Sequence, residues 1–426
     1  MTKLFSTIGL EIHVELKTKS KMFCGCPADH FQVKPNTHTC PVCLGLPGAL
    51  PVPNKTAIDW TIMIGLALDC QINHESTFDR KHYFYPDLPK GFQISQFDDP
   101  FCRQGYLTLD SGKKILINRV HLEEDTAKLI HKKINNKDVT LVDFNRSGVA
   151  LVEIVTEPVV TSGNEAKEFL KKLRDILRRL QVSDCDMEKG SMRLEANISL
   201  TADAKHLAEY KVEVKNLNSF RFVDQAINYE IERQTSLLEQ GITPTQETRG
   251  YDDLKKQTFS QRIKETSADY RYFPEPDIPP IVLSKEYVEN LRKQLPKLPE
   301  TETAELVQRF HLNNSTAQLL VKDAVKLSYF KKYLTEIEPV KLANLIINKK
   351  IDLTKPLLLK TAAQAVDLKI IEKVIRENAD AIAKYKAGKT SVVGFLVGQV
   401  MKQTHGKVDP KQAQQELLKH LRGVSS

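Results

Sequence analysis

A chain of 426 residues, 27% charged and 41% hydrophobic, is long enough for two or three domains and too apolar to be disordered. Its net charge of +8 is compatible with a nucleic-acid or nucleotide partner without requiring one. No apolar run approaches the ~18 residues of a membrane helix. Met1–Phe5 lacks the apolar core of a secretory signal, so a cytoplasmic protein without a membrane partner is expected.

The stretch Ile8–Leu16 reads IGLEIHVEL and alternates without a break. Ile8, Leu10, Ile12, Val14 and Leu16 face one way and Glu11, His13 and Glu15 the other, the pattern of a half-buried strand. Strand geometry sets the three polar groups in a row, about 7 Å apart. A solvated edge strand can carry such a row. The alternative is one wall of a divalent-cation site, because carboxylate oxygens suit Mg2+ and a His can join them.

The seven cysteines, an odd number, fit a reducing compartment better than a disulfide framework. Four of them form two close pairs, Cys24 with Cys26 and Cys40 with Cys43, separated by a short loop. This spacing suits a tetrahedral four-cysteine zinc knuckle, closed and therefore structural. Gly25, Pro27, Pro41 and Gly45 supply turns, and His30 and His38 lie between the pairs as substitute ligands. Four unligated thiols in a Pro/Gly-rich loop is the plain alternative. Cys70, Cys102 and Cys185 are isolated core or surface thiols.

Ala57–Leu68 has the pattern of a buried helix. Phe78–Asp87 interleaves aromatics with Arg80 and Lys81, which suits either a phosphate and a stacked base or a packed loop. Residues 90–99 read as loop and short strand. Ile115–Asp125 is a second strand, ending in Glu123, Glu124 and Asp125. In 150–157, Glu153 and Glu157 share a face. An acid in an otherwise apolar strand is costly unless paired or bound to a cation, which singles out Glu153.

Ser162 and Glu165 form a capping box opening a helix. Phe169, Leu173, Ile176, Leu177 and Leu180 make its apolar stripe, and Lys171, Lys172, Arg174, Arg178 and Arg179 a solvated basic face. In 191–200, Arg193, Glu195 and Asn197 alternate with apolar residues; in 210–217, Lys211, Glu213 and Lys215 do so. Several strands thus have one apolar face and one face of potential ligands. An antiparallel sheet permits this, with helices on the apolar side and an open, concave polar side suited to a large anionic substrate.

Pro274, Pro276, Pro279 and Pro280 mark a boundary. The pattern turns helical from about Glu286 and changes again near Thr361. The fold class expected is α+β: a cradle over 1–285 on a largely antiparallel sheet, then an all-α region divided into 286–360 and 361–426. Val392–Met401 carries two adjacent i, i+4 apolar series, the mark of a mostly buried helix. Residues 379–426 are basic, an RNA footprint or a solvated tail. Gly388-Lys389-Thr390 ends like a P-loop but follows no strand and is expected to be a turn. No G-x-S-x-G elbow and no H-E-x-x-H is present. Acids, one well-placed His and nearby cations remain, the components of metal-assisted phosphoryl transfer.

Eight strings, in order, carry a resemblance: IGLEIHVELKTKSKMFCGCP, CPVCLGLPGALPVPN, FDRKHYFYPDLPKGFQISQ, HLEEDTAK, LVDFNRSGVALVEIVTEP, EVKNLNSF, DYRYFPEPD and GFLVGQVMK. With them the chain resembles the B subunits of the tRNA-dependent amidotransferase. The resemblance covers most of Ile8–Asp277 and resumes in the C-terminal module.

The resemblance implies a cradle holding Mg2+ and ATP, a helical segment and a small tail that approaches the tRNA. It implies phosphorylation of the side-chain carboxylate of misacylated Glu-tRNA(Gln) or Asp-tRNA(Asn). Ammonia from a glutaminase A subunit would then displace the phosphate, with a small C subunit completing a heterotrimer. Position by position, Glu11, His13, Glu124 and Glu153 match the metal-binding positions. The sequence itself does not choose between Glu123 and Glu124; the motif alignment favours Glu124. Cys24, Cys26, Cys40 and Cys43 match members that carry zinc, and Lys81 and Lys215 match phosphate or ATP contacts. The stretch from about Tyr329 to Asp367 is shorter than in most relatives. Two other readings stand beside this one: a metal-dependent RNA phosphodiesterase, and a non-catalytic zinc-stabilised RNA-binding scaffold.

Overall fold

A computed structural model describes residues 3–203, 206–263, 270–357, 366–404 and 408–423. The chain divides into two compact units, Met1–Ala324 and Val325–Ser426. The first begins with β1 (Phe5–Glu15) and α1 (Lys55–Ala67), followed by the short strands β2 (Gln71–Ile72), β3 (Glu75–Ser76), β4 (Asp79–His82) and β5 (Phe92–Ser95). Next come β6 (Cys102–Thr108), β7 (Lys114–Glu124), the hairpin β8 (Lys128–Ile134) and β9 (Lys137–Asp143), β10 (Ala150–Thr156) and α2 (Gly163–Arg179). Then follow β11 (Met192–Thr201), β12 (Val212–Lys215), α3 (Phe220–Glu239), β13 (Glu247–Asp252), β14 (Gln257–Ile263), β15 (Phe273–Pro274) and β16 (Ile281–Val282). Helices α4 (Lys285–Gln294), α5 (Pro299–Phe310) and α6 (Asn314–Val321) close the unit.

Among the described residues the main sheet has nine strands in the order β14-β13-β12-β11-β1-β10-β7-β6-β2. Its pairs are antiparallel except β12 with β13. The opening strand of the sequence is therefore central, flanked by β10 and β11. Ile8, Leu10, Ile12 and Val14 are buried in one core with residues of α1, α2 and α3. That core covers one face of the sheet and leaves the other to the polar residues, as the alternation requires.

Helices α2 and α3 start at side-chain caps. Ser162 Oγ accepts from Glu165 N at 3.2 Å. The Glu165 carboxylate reaches back to Thr161 N at 2.8 Å, one residue beyond the usual box. Ser219 Oγ caps α3 through Phe222 N at 3.1 Å.

The change of pattern at 285/286 does not mark the edge of a compact unit. Val288 and Leu291 of α4 join the main core. Arg179 of α2 holds Glu302 of α5 at 2.6 Å and the Val321 carbonyl of α6 at 2.9 Å. Lys172 meets Asp110 and Glu300, each at 2.8 Å, so part of the basic face expected to be solvated ties α5 and α6 to α2. Composition registers a change of element type, and contacts do not follow it.

The second unit holds α7 (Ala324–Lys332, beginning at the division), α8 (Pro339–Ile347), α9 (Leu368–Glu377), α10 (Ala379–Lys386), α11 (Val392–Gln403) and α12 (Pro410–Gly423). The change expected near Thr361 lies outside the described residues, as does Asp269 of DYRYFPEPD. Helices α9, α11 and α12 share a core of Ile371, Val374, Leu396, Val400, Ala413 and Leu417. Helix α11 buries one stripe, Val393, Leu396 and Val400, while Phe395 is exposed. The expectation of a mostly buried helix is corrected: two adjacent i, i+4 series span more of the circumference than a small bundle covers. Gly388 lies between α10 and α11 with φ 93°, the turn expected there.

Glu230 of α3 is fully buried. It is met by Arg233 at 2.8 Å, Gln234 at 3.0 Å, Arg249 at 3.1 Å and the Thr258 hydroxyl. Burial pushes its carboxyl up, but these partners outweigh burial and hold it below the ordinary range. Its stabilisation is therefore full above the unfolded-state value near 4.5 and is lost as pH falls through the lower folded value. Glu230→Ala, which strands buried guanidinium groups, is expected to cost about 3–5 kcal/mol in urea unfolding at neutral pH. The difference from wild type should shrink below pH 4.5.

Candidate active site

The register of the sheet assembles the polar face. His13 of β1 stands opposite Glu153 of β10 on one side and Arg193 of β11 on the other, and Glu153 stands opposite His121 of β7. One step along, Glu11 faces Glu195 of β11. Asn197 faces Glu213 of β12, which faces Thr248 of β13.

Two trios result. His13, Glu123 and Glu153 bring ligand atoms within 4.8 Å of one another, and so do Glu11, Glu195 and Glu213. In the first, His13 Nε2 is 3.8 Å from Glu123 and 3.7 Å from Glu153, while His121 Nε2 is 3.0 Å from Glu153. In the second, Asn197 donates to Glu11 at 2.8 Å, and Thr248 Oγ1 donates to Glu213 at 2.9 Å. Lys215 bridges Glu195 at 2.9 Å and Glu213 at 3.2 Å. Both donor sets suit a hard divalent cation.

The charges hold one another in place. Burial pushes the Glu153 carboxyl up, and the His121 and His13 rings outweigh it, leaving it well below the carboxylate range. Burial likewise opposes ionisation of Glu123, and the His121 hydrogen bond, Lys81 and His13 overcome it. Burial would discharge His121, yet Glu153 and Glu123 raise its pKa. Glu195 is the exception. Burial exceeds the pull of Lys215 and raises its carboxyl.

Both trios border one cavity of about 370 Å³, with Glu11, His13, Glu153, Glu195 and Glu213 in its lining. Lys81, Arg119, Lys211 and Lys215 give it cations, and Phe97, Tyr270 and Tyr272 an aromatic wall. A larger cavity, about 510 Å³, lies among α2, α5 and α6; among the described residues its lining holds no His or Cys. Burial opposes the charge on Lys81, but Glu123, Tyr272 and Glu153 outweigh it and raise its pKa.

Glu124 is not brought to this site. Its carboxylate takes Lys90 Nζ at 2.5 Å and Ile94 N at 2.9 Å. Consecutive strand residues point to opposite faces, so Glu123 shares the face of His121 and Glu124 does not. Glu11 is present but belongs to the second trio. His121, Glu195 and Glu213 join the expected residues, and their signal was the same alternation as in β1.

The four cysteines do converge. Cys24, Cys26, Cys40 and Cys43 have Sγ atoms within 4.8 Å of one another. Cys40 and Cys43 are 3.9 Å apart, against about 3.8 Å for thiolates on a tetrahedral zinc. Cys40 N donates to Cys43 Sγ at 3.2 Å. The fully buried Lys21 sends Nζ to Cys43 Sγ at 3.6 Å and to the His38 and Phe144 carbonyls at 2.8 and 3.2 Å. The Cys24 hydrogen bond, the Cys40 N–H and Lys21 bring Cys43 down to about 4 against burial, while burial and Cys40 push Cys26 up to about 11. His30 and His38 are not in the cluster: His30 binds Glu15 at 2.9 Å and His38 the Asp29 carbonyl at 2.8 Å.

Comparison with known proteins gives the family. The profile of the GatB/GatE catalytic domain matches residues 6–289, and that of the GatB domain matches 356–421. The chain belongs to the GatB/GatE family. The B subunit of aspartyl/glutamyl-tRNA(Asn/Gln) amidotransferase from Thermotoga petrophila is 42% identical over 475 residues, covering 98% of each chain. The corresponding protein of Thermosipho melanesiensis is 44% identical over 471 residues, covering 98% of each. That of Dehalococcoides mccartyi is 41% identical over 489 residues, covering 99% of each. These aligned lengths exceed the 426 residues of this chain, so the relatives carry residues that it lacks. This GatB/GatE member is thus an enzyme subunit of the amidotransferase class, which joins carbon to nitrogen with glutamine as amido donor. Both trios and the four cysteines lie within the catalytic-domain match. No helix among the described residues is long and apolar enough to cross a membrane.

The two neighbouring acids of β7 give a direct test. With Mn2+ alone as the probe, read by electron paramagnetic resonance, Glu123→Gln should weaken binding at least tenfold. Glu124→Gln should stay within about twofold of wild type, and equal losses in the two variants would contradict the geometry.

Proposed function

We propose that this chain is the tRNA-binding, ATP-consuming subunit of a tRNA-dependent amidotransferase acting on Glu-tRNA(Gln), Asp-tRNA(Asn) or both. The observation that carries the reading is the pair of acid trios bordering one cavity with a cationic rim. A free carboxylate is a poor electrophile, since its amidation would expel oxide or hydroxide. In the proposed sequence the side-chain carboxylate oxygen attacks the γ-phosphorus of ATP and ADP leaves. Ammonia then attacks the acyl carbon and inorganic phosphate leaves.

The residues divide the work accordingly. Lys81, Arg119, Lys211 and Lys215 draw phosphates into the cavity and offset their charge. His13, Glu123 and Glu153 in one trio and Glu11, Glu195 and Glu213 in the other would hold Mg2+, which would neutralise charge between the carboxylate and the phosphates. His121 orients Glu153, and Asn197 orients Glu11. Among the described residues the cavity lining contains no Ser, Thr or Cys, and the proposed transfer passes directly to substrate. An acyl phosphate hydrolyses readily, so attack by ammonia has to outrun attack by water.

Ammonia is assigned to a glutaminase A subunit, with a C subunit completing a heterotrimer in the cytoplasm. The tail, 361–426, is assigned to the tRNA. The stretch from about 329 to 367 is read as the shortened one, so the way this tail meets the tRNA need not follow that of other members. Zinc on Cys24, Cys26, Cys40 and Cys43 is structural, and Lys21 offsets the charge of its thiolates.

Two measurements test the proposal. Phosphate release by the co-expressed heterotrimer should require ATP, Mg2+ and misacylated tRNA together, and fall at least 100-fold in Glu11→Gln and Glu153→Gln. Release indifferent to the aminoacyl group, or tRNA cleavage without ATP, would overturn it. The purified chain should also carry one zinc, measured by plasma mass spectrometry and lost in Cys43→Ser. Lys21→Met should weaken zinc about 10–100-fold in chelator competition.

A further inference from the structure

The cavity has an aromatic wall that the chemistry of carboxylates and phosphates does not use. Phe97 and Tyr272 stack at 4.2 Å between ring centroids, with planes 10° apart. Tyr272 meets Tyr270 edge-on at 6.1 Å, and Tyr270 meets Tyr83 edge-on at 6.0 Å. Lys81 Nζ lies 4.9 Å from the Tyr270 ring centre. Tyr272 covers one face of Phe97, yet Phe97 remains 49% exposed. With half of its surface left in water beside a charged cavity, Phe97 has a face available for a flat partner.

The backbone that carries the ring is also held in place. Phe97 N donates to Asp79 Oδ2 at 2.7 Å. The preceding residue, the buried Gln96, accepts from Leu122 N at 3.1 Å and from Phe101 N at 3.4 Å. Tyr272 is followed by Phe273, which pairs with Arg80 of β4. Both sides of the stack are thus anchored to neighbouring strands before any ligand arrives. Such preorganisation is what a stacking platform needs, because the ordering cost is met during folding.

We propose that Phe97, backed by Tyr272, is the platform on which the adenine of an adenosine group stacks while its phosphates turn toward Lys81 and the acid trios. The ligand class follows from the cavity itself: one aromatic wall, cations and carboxylates together fit a flat base joined to an anionic chain. Base–aromatic stacking tolerates any base, so the platform contributes affinity and leaves base choice to other contacts. This inference rests on the functional reading above. Two substrates of that reading carry adenosine, ATP and the 3′ end of the tRNA, and one platform serves one of them.

Binding is read directly, so the result stands whether or not phosphate is released. ADP with Mg2+, and separately an uncharged tRNA, are titrated by calorimetry into heterotrimer carrying wild-type Phe97, Phe97→Ala or Phe97→Trp. Roughly tenfold weaker ADP binding in Phe97→Ala, restored in Phe97→Trp, with tRNA affinity unchanged, assigns the platform to ATP. The reverse pattern assigns it to the terminal adenosine of the tRNA. Both affinities within twofold of wild type in Phe97→Ala overturn the platform. Failure of the functional reading would show separately, as wild-type enzyme that releases no phosphate.

Discussion

The register of β1 between β10 and β11 is the constraint from which the site follows. His13 opposite Glu153, and Glu11 opposite Glu195, are consequences of which residue pairs with which across three strands. A slip of one residue would turn Ile12 and Val14 to the polar side and drive Glu11 and His13 into the helices. Burial of Ile8, Leu10, Ile12 and Val14 against α1, α2 and α3 forbids that slip. The hydrophobic core therefore does more than stabilise the unit, since it also fixes which donors meet on the opposite face.

That opposite face gathers acids that a sheet selected only for stability would avoid. Buried carboxylates raise one another's cost of ionisation, and the structure offsets this with buried cations and not by neutralising the acids. Glu153 and Glu123 stay ionised because His121, His13 and Lys81 surround them. Glu195 shows the balance from the other side, where burial wins over a single lysine. A sheet of this kind holds negative and positive charge side by side within one cavity. Such a polarised arrangement is useful when charge moves during reaction, and costly otherwise.

Period-two alternation made β1, β7, β10 and β11 legible, and with them Glu11, His13 and Glu153. Glu123 and Glu124 are separated by the same period once the neighbouring strands show which face carries the other donors. His121 and Glu123 share a face by parity, whereas motif alignment alone pointed to Glu124, which lies with Lys90 behind the strand. The division of Glu11 from His13 into separate trios was not legible, because it depends on Glu195 and Glu213 arriving from other strands. The place of α4–α6 in the first unit was hidden for a related reason. Arg179 with Glu302 and Lys172 with Glu300 are long-range ion pairs on a face whose composition reads as solvent-exposed. The Phe97–Tyr272 stack joins residues far apart in sequence, and no local pattern announces it.

The cysteine loop is bound to the same strands that carry the site. Glu15, third in the row with Glu11 and His13, holds His30 of the loop at 2.9 Å. Arg193, opposite His13, binds Asp125, the residue after Glu123 and Glu124. Further on, Ser147 Oγ donates to the Cys43 carbonyl at 3.1 Å, and Met22 N to the Gly148 carbonyl at 2.7 Å. Asn145 accepts from His38 N at 2.8 Å and donates to the Lys34 carbonyl at 2.8 Å. The segment leading into β10, and so to Glu153, is thus laced to the loop that the cysteines close. Lys21 joins the two directly, with one ammonium shared by Cys43 and the Phe144 carbonyl. The four converging cysteines and the acid trio are thus joined through the approach to β10, although no cysteine belongs to the trio.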